Sequence, residues 1–108
     1  MWADPAADSG LNEHPDEALD ESLNQMVDNL DIKKIFYVQP GDAEKLESPL
    51  VQGHPYYDKE QKPRMSWSRN AKLFAYEEEY GGHLPIEKIM ETLVVKMGYR
   101  GLISVETF

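Results

Sequence analysis

The chain contains no cysteine, so it can hold neither a disulfide framework nor a thiolate zinc site. It has no excess of basic residues: 11 Lys and Arg stand against 20 Asp and Glu, a formal net charge of −9. A nucleic-acid surface needs the opposite sign, which argues against that class of function. No apolar run approaches the roughly 20 residues of a membrane helix. The N-terminus carries neither the basic nor the apolar region of a secretory signal. A soluble, cytoplasmic protein without a membrane partner is the expectation. Histidine is scarce, and His14, His54 and His83 each sit beside Pro or Gly, which suits loop positions and suggests no catalysis.

What is present fits one small domain, because 108 residues support only a modest core. The acidic residues gather between Asp4 and Asp31 and again at Glu77-Glu78-Glu79, as expected of solvated faces. Pro15 suits the first turn of a helix, with Asp16 and Glu17 against the positive end of its dipole. Leu19, Leu23, Met26, Val27 and Leu30 then fall on one stripe of that helix. A second stripe, Ile86, Ile89, Met90, Leu93, Val94 and Met97, predicts another helix, with Gly98 at the left-handed cap.

Each helix leads to a short apolar run ending in a polar side chain. Ile35-Phe36-Tyr37-Val38-Gln39 is one run and Leu102-Ile103-Ser104-Val105-Glu106 the other. Such runs predict strands buried on both faces, as in a parallel sheet. Gln39 and Glu106 would then stand at carboxyl ends, where α/β proteins build their sites. A carboxylate there is costly to desolvate without a positive partner, and a metal ion is one such partner. Between them, about 41–85, lies a segment rich in Pro, Gly and aromatic residues. Its length predicts a functional loop, and its aromatics an ordered lid. The short helical possibilities within it are Asp42 to Leu46 and Asn70 to Tyr76. The order helix, strand, long loop, helix, strand implies a parallel α/β arrangement with a right-handed crossover.

The residues also carry a family resemblance. Phe36-Tyr37-Val38-Gln39, Asp42-Ala43-Glu44, Ser48-Pro49-Leu50-Val51-Gln52-Gly53-His54-Pro55, the stretch Arg64-Met65-Ser66-Trp67-Ser68-Arg69-Asn70-Ala71-Lys72-Leu73-Phe74, and Gly98-Tyr99-Arg100-Gly101 with Val105-Glu106 resemble the fungal 3-dehydroshikimate dehydratases of quinate catabolism. These lyases belong to the xylose-isomerase-like TIM barrels, related to sugar phosphate isomerases and epimerases. The resemblance covers nearly the whole chain and about the last third of such an enzyme. It implies the C-terminal part of a (β/α)8 barrel: the last two strands with their helices and a long seventh βα loop.

The family uses a divalent metal in the barrel mouth to polarise the ketone of 3-dehydroshikimate, and loss of water gives protocatechuate. Gln39 and Glu106 match two of its metal ligands, and an all-oxygen set suits magnesium or manganese. Arg69 matches a residue of the substrate pocket, where a guanidinium can grip a carboxylate bidentately. The remaining ligands and the histidine base belong to strands that this sequence does not contain. Thr107 also stands where the family has Leu. A partial barrel domain over 1–108, a fragment or truncated relative inactive on its own, is therefore the expectation, with no catalytic residue assigned.

Two other readings compete. One is a fragment of another barrel of the group, such as a sugar isomerase. The other is a non-catalytic interaction module that self-associates or docks a partner through open sheet edges and the apolar helix faces at Leu23 and Leu93.

Overall fold

The computed structural model describes residues 2–105; Met1 and residues 106–108, and with them the candidate ligand Glu106, lie outside that description. The elements run α1 (Pro15–Asn29), a 3-10 turn (Ile32–Lys34), β1 (Tyr37–Val38), β2 (Gly41–Ala43), α2 (Pro63–Asn70), β3 (Lys72–Phe74), a second 3-10 turn (Glu78–Tyr80), α3 (Ile86–Glu91) with a π-helical turn (Thr92–Lys96), and β4 (Leu102–Ile103). This is a mixed α/β arrangement.

Both helices expected from periodicity are present. Pro15 occupies the first turn of α1, with Asp16 and Glu17 beside it, because a residue without a free N–H loses nothing there. Leu19 and Leu23 are buried, while Val27 and Leu30 at the far end are exposed. The second helix widens after Glu91. Thr92 Oγ1 donates to the Lys88 carbonyl at 2.9 Å, and the Met97 N–H reaches the Thr92 carbonyl at 2.9 Å, a five-residue loop of backbone. Gly98 follows at φ 74°, the left-handed conformation expected of the cap.

β1 and β4 pair in parallel, Tyr37 with Leu102 and Val38 with Ile103. The predicted pairing of the two apolar runs is thus present, but their burial is not. Phe36 is 85% exposed and Leu102 66%, because among the described residues the sheet has two strands and no layer covers both faces. The helix faces at Leu23 and Leu93 depart from expectation in the opposite sense. Both residues are buried within this chain, so neither offers a free docking face.

The segment 41–85 is ordered, but it is not the loop with two short helices that its sequence suggests. Asp42 lies in β2, which pairs antiparallel with β3: Gly41 faces Phe74 and Ala43 faces Lys72. The helix falls earlier, at Pro63–Asn70, with Pro63 in its first turn. It was hidden because its buried residues, Ser66 and Trp67, are adjacent and make no stripe. This segment supplies most of a core cluster: Ala43, Leu50, Trp67 and Ala71 pack with Ala3, and Trp2, Leu46, Tyr56 and Leu84 close around them. The N-terminal stretch joins it through the Leu50 N–H, which donates to the Pro5 carbonyl at 2.8 Å.

Leu50 is the most deeply buried large side chain, at 1% exposure. Leu50→Ala should lower unfolding free energy by about 2–5 kcal/mol, as for other fully enclosed leucines. Urea denaturation followed by tryptophan fluorescence measures this, and a change below about 1 kcal/mol would mean the site collapses around the smaller side chain.

Candidate functional site

Gln39 follows β1 directly and is exposed at its carboxyl end. The Ser104 N–H donates to the Val38 carbonyl at 2.9 Å, so the parallel register carries one residue beyond the paired strands and sets Gln39 beside Ser104. Glu106 falls outside the described residues. Arg69 is exposed in the last turn of α2. The β2–β3 ladder lies between the two described candidates: Gln39 precedes its Gly41–Phe74 end, and Arg69 precedes its Ala43–Lys72 end.

What holds this region in shape is the Asp42 carboxylate, in a strand and not at the start of a helix. Asp42 is 5% exposed. Its Oδ1 accepts hydrogen bonds from its neighbour's N–H on Ala43 at 2.7 Å, and from the His83 and Leu84 N–H groups at 3.0 and 2.8 Å. Three donors of this kind offset the cost of burying a charge. The partner segment comes so close that a Cβ on Gly82 would sit 2.7 Å from Asp42 Oδ2 and 2.9 Å from the Glu77 carbonyl. Only glycine fits there. The sole sequence signal was an Asp directly after Pro40-Gly41, which reads as a turn rather than a buried anchor.

His83, placed in a loop by the sequence, is held in an aromatic corner. Its ring lies 4.9 Å from the Trp2 ring and 6.5 Å from the Trp67 ring. Trp67 is itself fixed by its Nε1–H, which donates to the Glu44 carbonyl at 2.7 Å. Nε2 of His83 is buried with no hydrogen-bond partner among the described residues. Burial pushes the imidazole pKa down against the opposing Gly10 backbone; the Lys45 charge adds to the lowering, and the Asp42 carboxylate acts the other way.

Below the Asp42 anchor lies a cavity of about 450 Å³, bordered by Asp42, Tyr76, Glu78, Lys88 and Glu91. Tyr76 takes φ 69°, the one positive value on a non-glycine residue among those described. Lys88 pairs with Asp20 across from α1, and this hydrogen bond raises its pKa. Among the described residues, no three His, Asp or Glu side chains come together as a metal cluster. None of the described helices is long and apolar enough to cross a membrane.

A comparison with known proteins bears on what this architecture serves. A 3-dehydroshikimate dehydratase of Neurospora crassa is 45% identical over all 108 residues. The chain is similar in sequence to this fungal 3-dehydroshikimate dehydratase. It spans 30% of the Neurospora protein's length, in that protein's C-terminal region. No protein-family profile matches the chain. No solved structure matches it either.

Two measurements probe the anchor and the corner. Asp42→Ala should lower stability by about 2–3 kcal/mol because it leaves buried N–H donors unpaired, whereas Asp42→Asn, which keeps an acceptor oxygen, should cost less than half of that. Equal losses in urea denaturation would show that the charge matters more than the hydrogen bonds. For His83, the lowered pKa means that the unfolded chain binds the proton more tightly. Its contribution to stability is therefore present above the unfolded pKa of about 6.5 and falls away as pH drops through the folded value. Unfolding curves from pH 7.5 down to about pH 5 should show a decline in the native chain that His83→Gln lacks.

Proposed function

We propose that this chain forms the C-terminal part of a 3-dehydroshikimate dehydratase-type (β/α)8 barrel, and that it does not turn over substrate alone. The observation that carries this reading is the 45% identity along the entire chain. The parallel pairing of β1 with β4 supports it, since adjacent barrel strands are parallel. In this reading residues 1–108 are a partial barrel domain, acting in the cytoplasm. The 41–85 segment then covers the barrel mouth.

Gln39, an exposed amide oxygen at the carboxyl end of β1, fits ligation of a hard cation. With Glu106 it would hold a magnesium or manganese ion, whose chemistry when bound is to polarise the substrate ketone. Arg69 would orient the substrate by gripping its carboxylate with a bidentate guanidinium. No general base is assigned to the described residues. The exposed apolar side chains of Phe36, Tyr37, Leu102 and Ile103 favour a second reading as well: a non-catalytic interaction module whose sheet docks another copy of the chain.

A chimera decides between these readings. The 108 residues replace their counterpart in the Neurospora protein, and dehydration of 3-dehydroshikimate is followed by the ultraviolet absorption of the aromatic product. The chimera should be active. Gln39→Ala or Glu106→Ala within it should lower kcat about 100-fold or more, and Arg69→Ala should chiefly raise KM. A folded, metal-loaded chimera without activity would overturn the dehydratase reading and leave the docking reading standing.

A further inference from the structure

A second cavity, of about 340 Å³, opens where α1, α2 and the start of α3 meet the N-terminal stretch. Its walls are mostly apolar and include Trp2, Leu19, Trp67 and Ile89. Neither Gln39 nor Arg69 borders it. The volume suits a small organic molecule, and two indole rings favour a flat aromatic one. These walls come from four separate parts of the chain, and the two indoles are fixed independently. The Trp67 Nε1–H is held by the Glu44 carbonyl at 2.7 Å, and the Trp2 Nε1–H by Asp16 Oδ1 at 3.1 Å.

The polar feature of the cavity is Arg64. Its Nε and Nη2 donate to the Ala3 carbonyl, both at 3.3 Å, and Nη2 also reaches Asn12 Oδ1 at 3.4 Å. All these acceptors are neutral. Among the described residues no carboxylate pairs with this guanidinium, although acids outnumber bases in the chain by 20 to 11. The exposed arginine is thus positioned by backbone and amide oxygens, without a carboxylate partner among the described residues, and its Nη1 edge makes no hydrogen bond to them. Ser22 and Ser68 also border the cavity, with hydroxyls able to donate.

From this geometry we infer that the cavity is a binding site for a planar aromatic carboxylate, its ring between the indoles and its carboxylate on Arg64. The inference does not depend on the dehydratase reading, because it uses none of that site's residues.

The test is direct because the chain has two tryptophans and both line the cavity. The 108-residue chain is titrated with benzoate while indole fluorescence is followed, and benzamide serves as the uncharged counterpart. Benzoate should give a saturable change with a Kd of about 0.1–1 mM, and benzamide should bind at least tenfold more weakly. Arg64→Met should remove that preference, and Ile89→Phe, which fills the cavity and leaves Arg64 in place, should weaken both ligands. No saturable change up to about 10 mM would overturn the inference, marking the cavity as a seat for other protein segments. Equal binding of benzoate and benzamide by the native chain would overturn the carboxylate assignment without recourse to any variant.

Discussion

Asp42 Oδ1 accepts three backbone N–H groups, and two of them, on His83 and Leu84, lie 41 and 42 residues along the chain. This closes the 41–85 segment on itself at the point where it leaves β1 and where it enters α3. A neutral hydrogen bond contributes little net stability, but a buried carboxylate stripped of its donors would be strongly unfavourable. The contact is therefore nearly all-or-none. Once made, it fixes much else. Gly82 is pressed against the carboxylate, Gly82 bridges Glu44, and the Glu44 carbonyl is then placed to receive Trp67. His83 is carried into its corner against Trp2 and Trp67 by the same bond. A segment with little regular structure can be ordered in this way because its long-range contacts share one anchor.

The two sheets are stabilised by different means. β2 and β3 form an antiparallel ladder in which Ala43 is buried with Ala3 and Trp67 and Asp42 is buried against the His83–Leu84 backbone, so its stability comes from within the chain. β1 and β4 are tied by parallel hydrogen bonds yet leave Phe36, Tyr37, Leu102 and Val105 more than half exposed. Parallel strands are ordinarily covered on both faces. The exposed residues are large and apolar, the composition of a sheet interior rather than of a surface. That asymmetry, one sheet satisfied and one unsatisfied, agrees with a chain that matches 30% of its relative's length.

Legibility in the sequence followed periodicity. α1 and α3 were readable because their apolar residues recur at helical spacing over several turns, and β1 and β4 because unbroken apolar runs follow each helix. The hairpin was not readable. Gly41-Asp42-Ala43 buries two consecutive residues, so it shows no alternation, and its stability depends on partners some 30 residues away in β3. α2 was misplaced to Asn70–Tyr76 because Leu73 and Phe74 are more apolar than Ser66 and Trp67, although Pro63 marked the true start. At the site, Gln39 could be placed on its strand end from the run alone. Asp42 and His83 could not be placed, because an isolated Asp or His carries no pattern, and their importance arises from packing that only the fold brings about.

The ladder also constrains the proposed site. From Gln39 to Ala43 is four residues, roughly 13 Å if extended, and Arg69 lies beyond the Lys72 that faces Ala43. The two side chains thus start from opposite ends of the ladder. If both act as proposed, one small molecule would reach them by lying along the ladder, with its metal-binding oxygen toward Gln39 and its carboxylate toward Arg69. On the proposed assignment, the ladder between Gln39 and Arg69 would hold the metal-side and carboxylate-side contacts of one substrate apart.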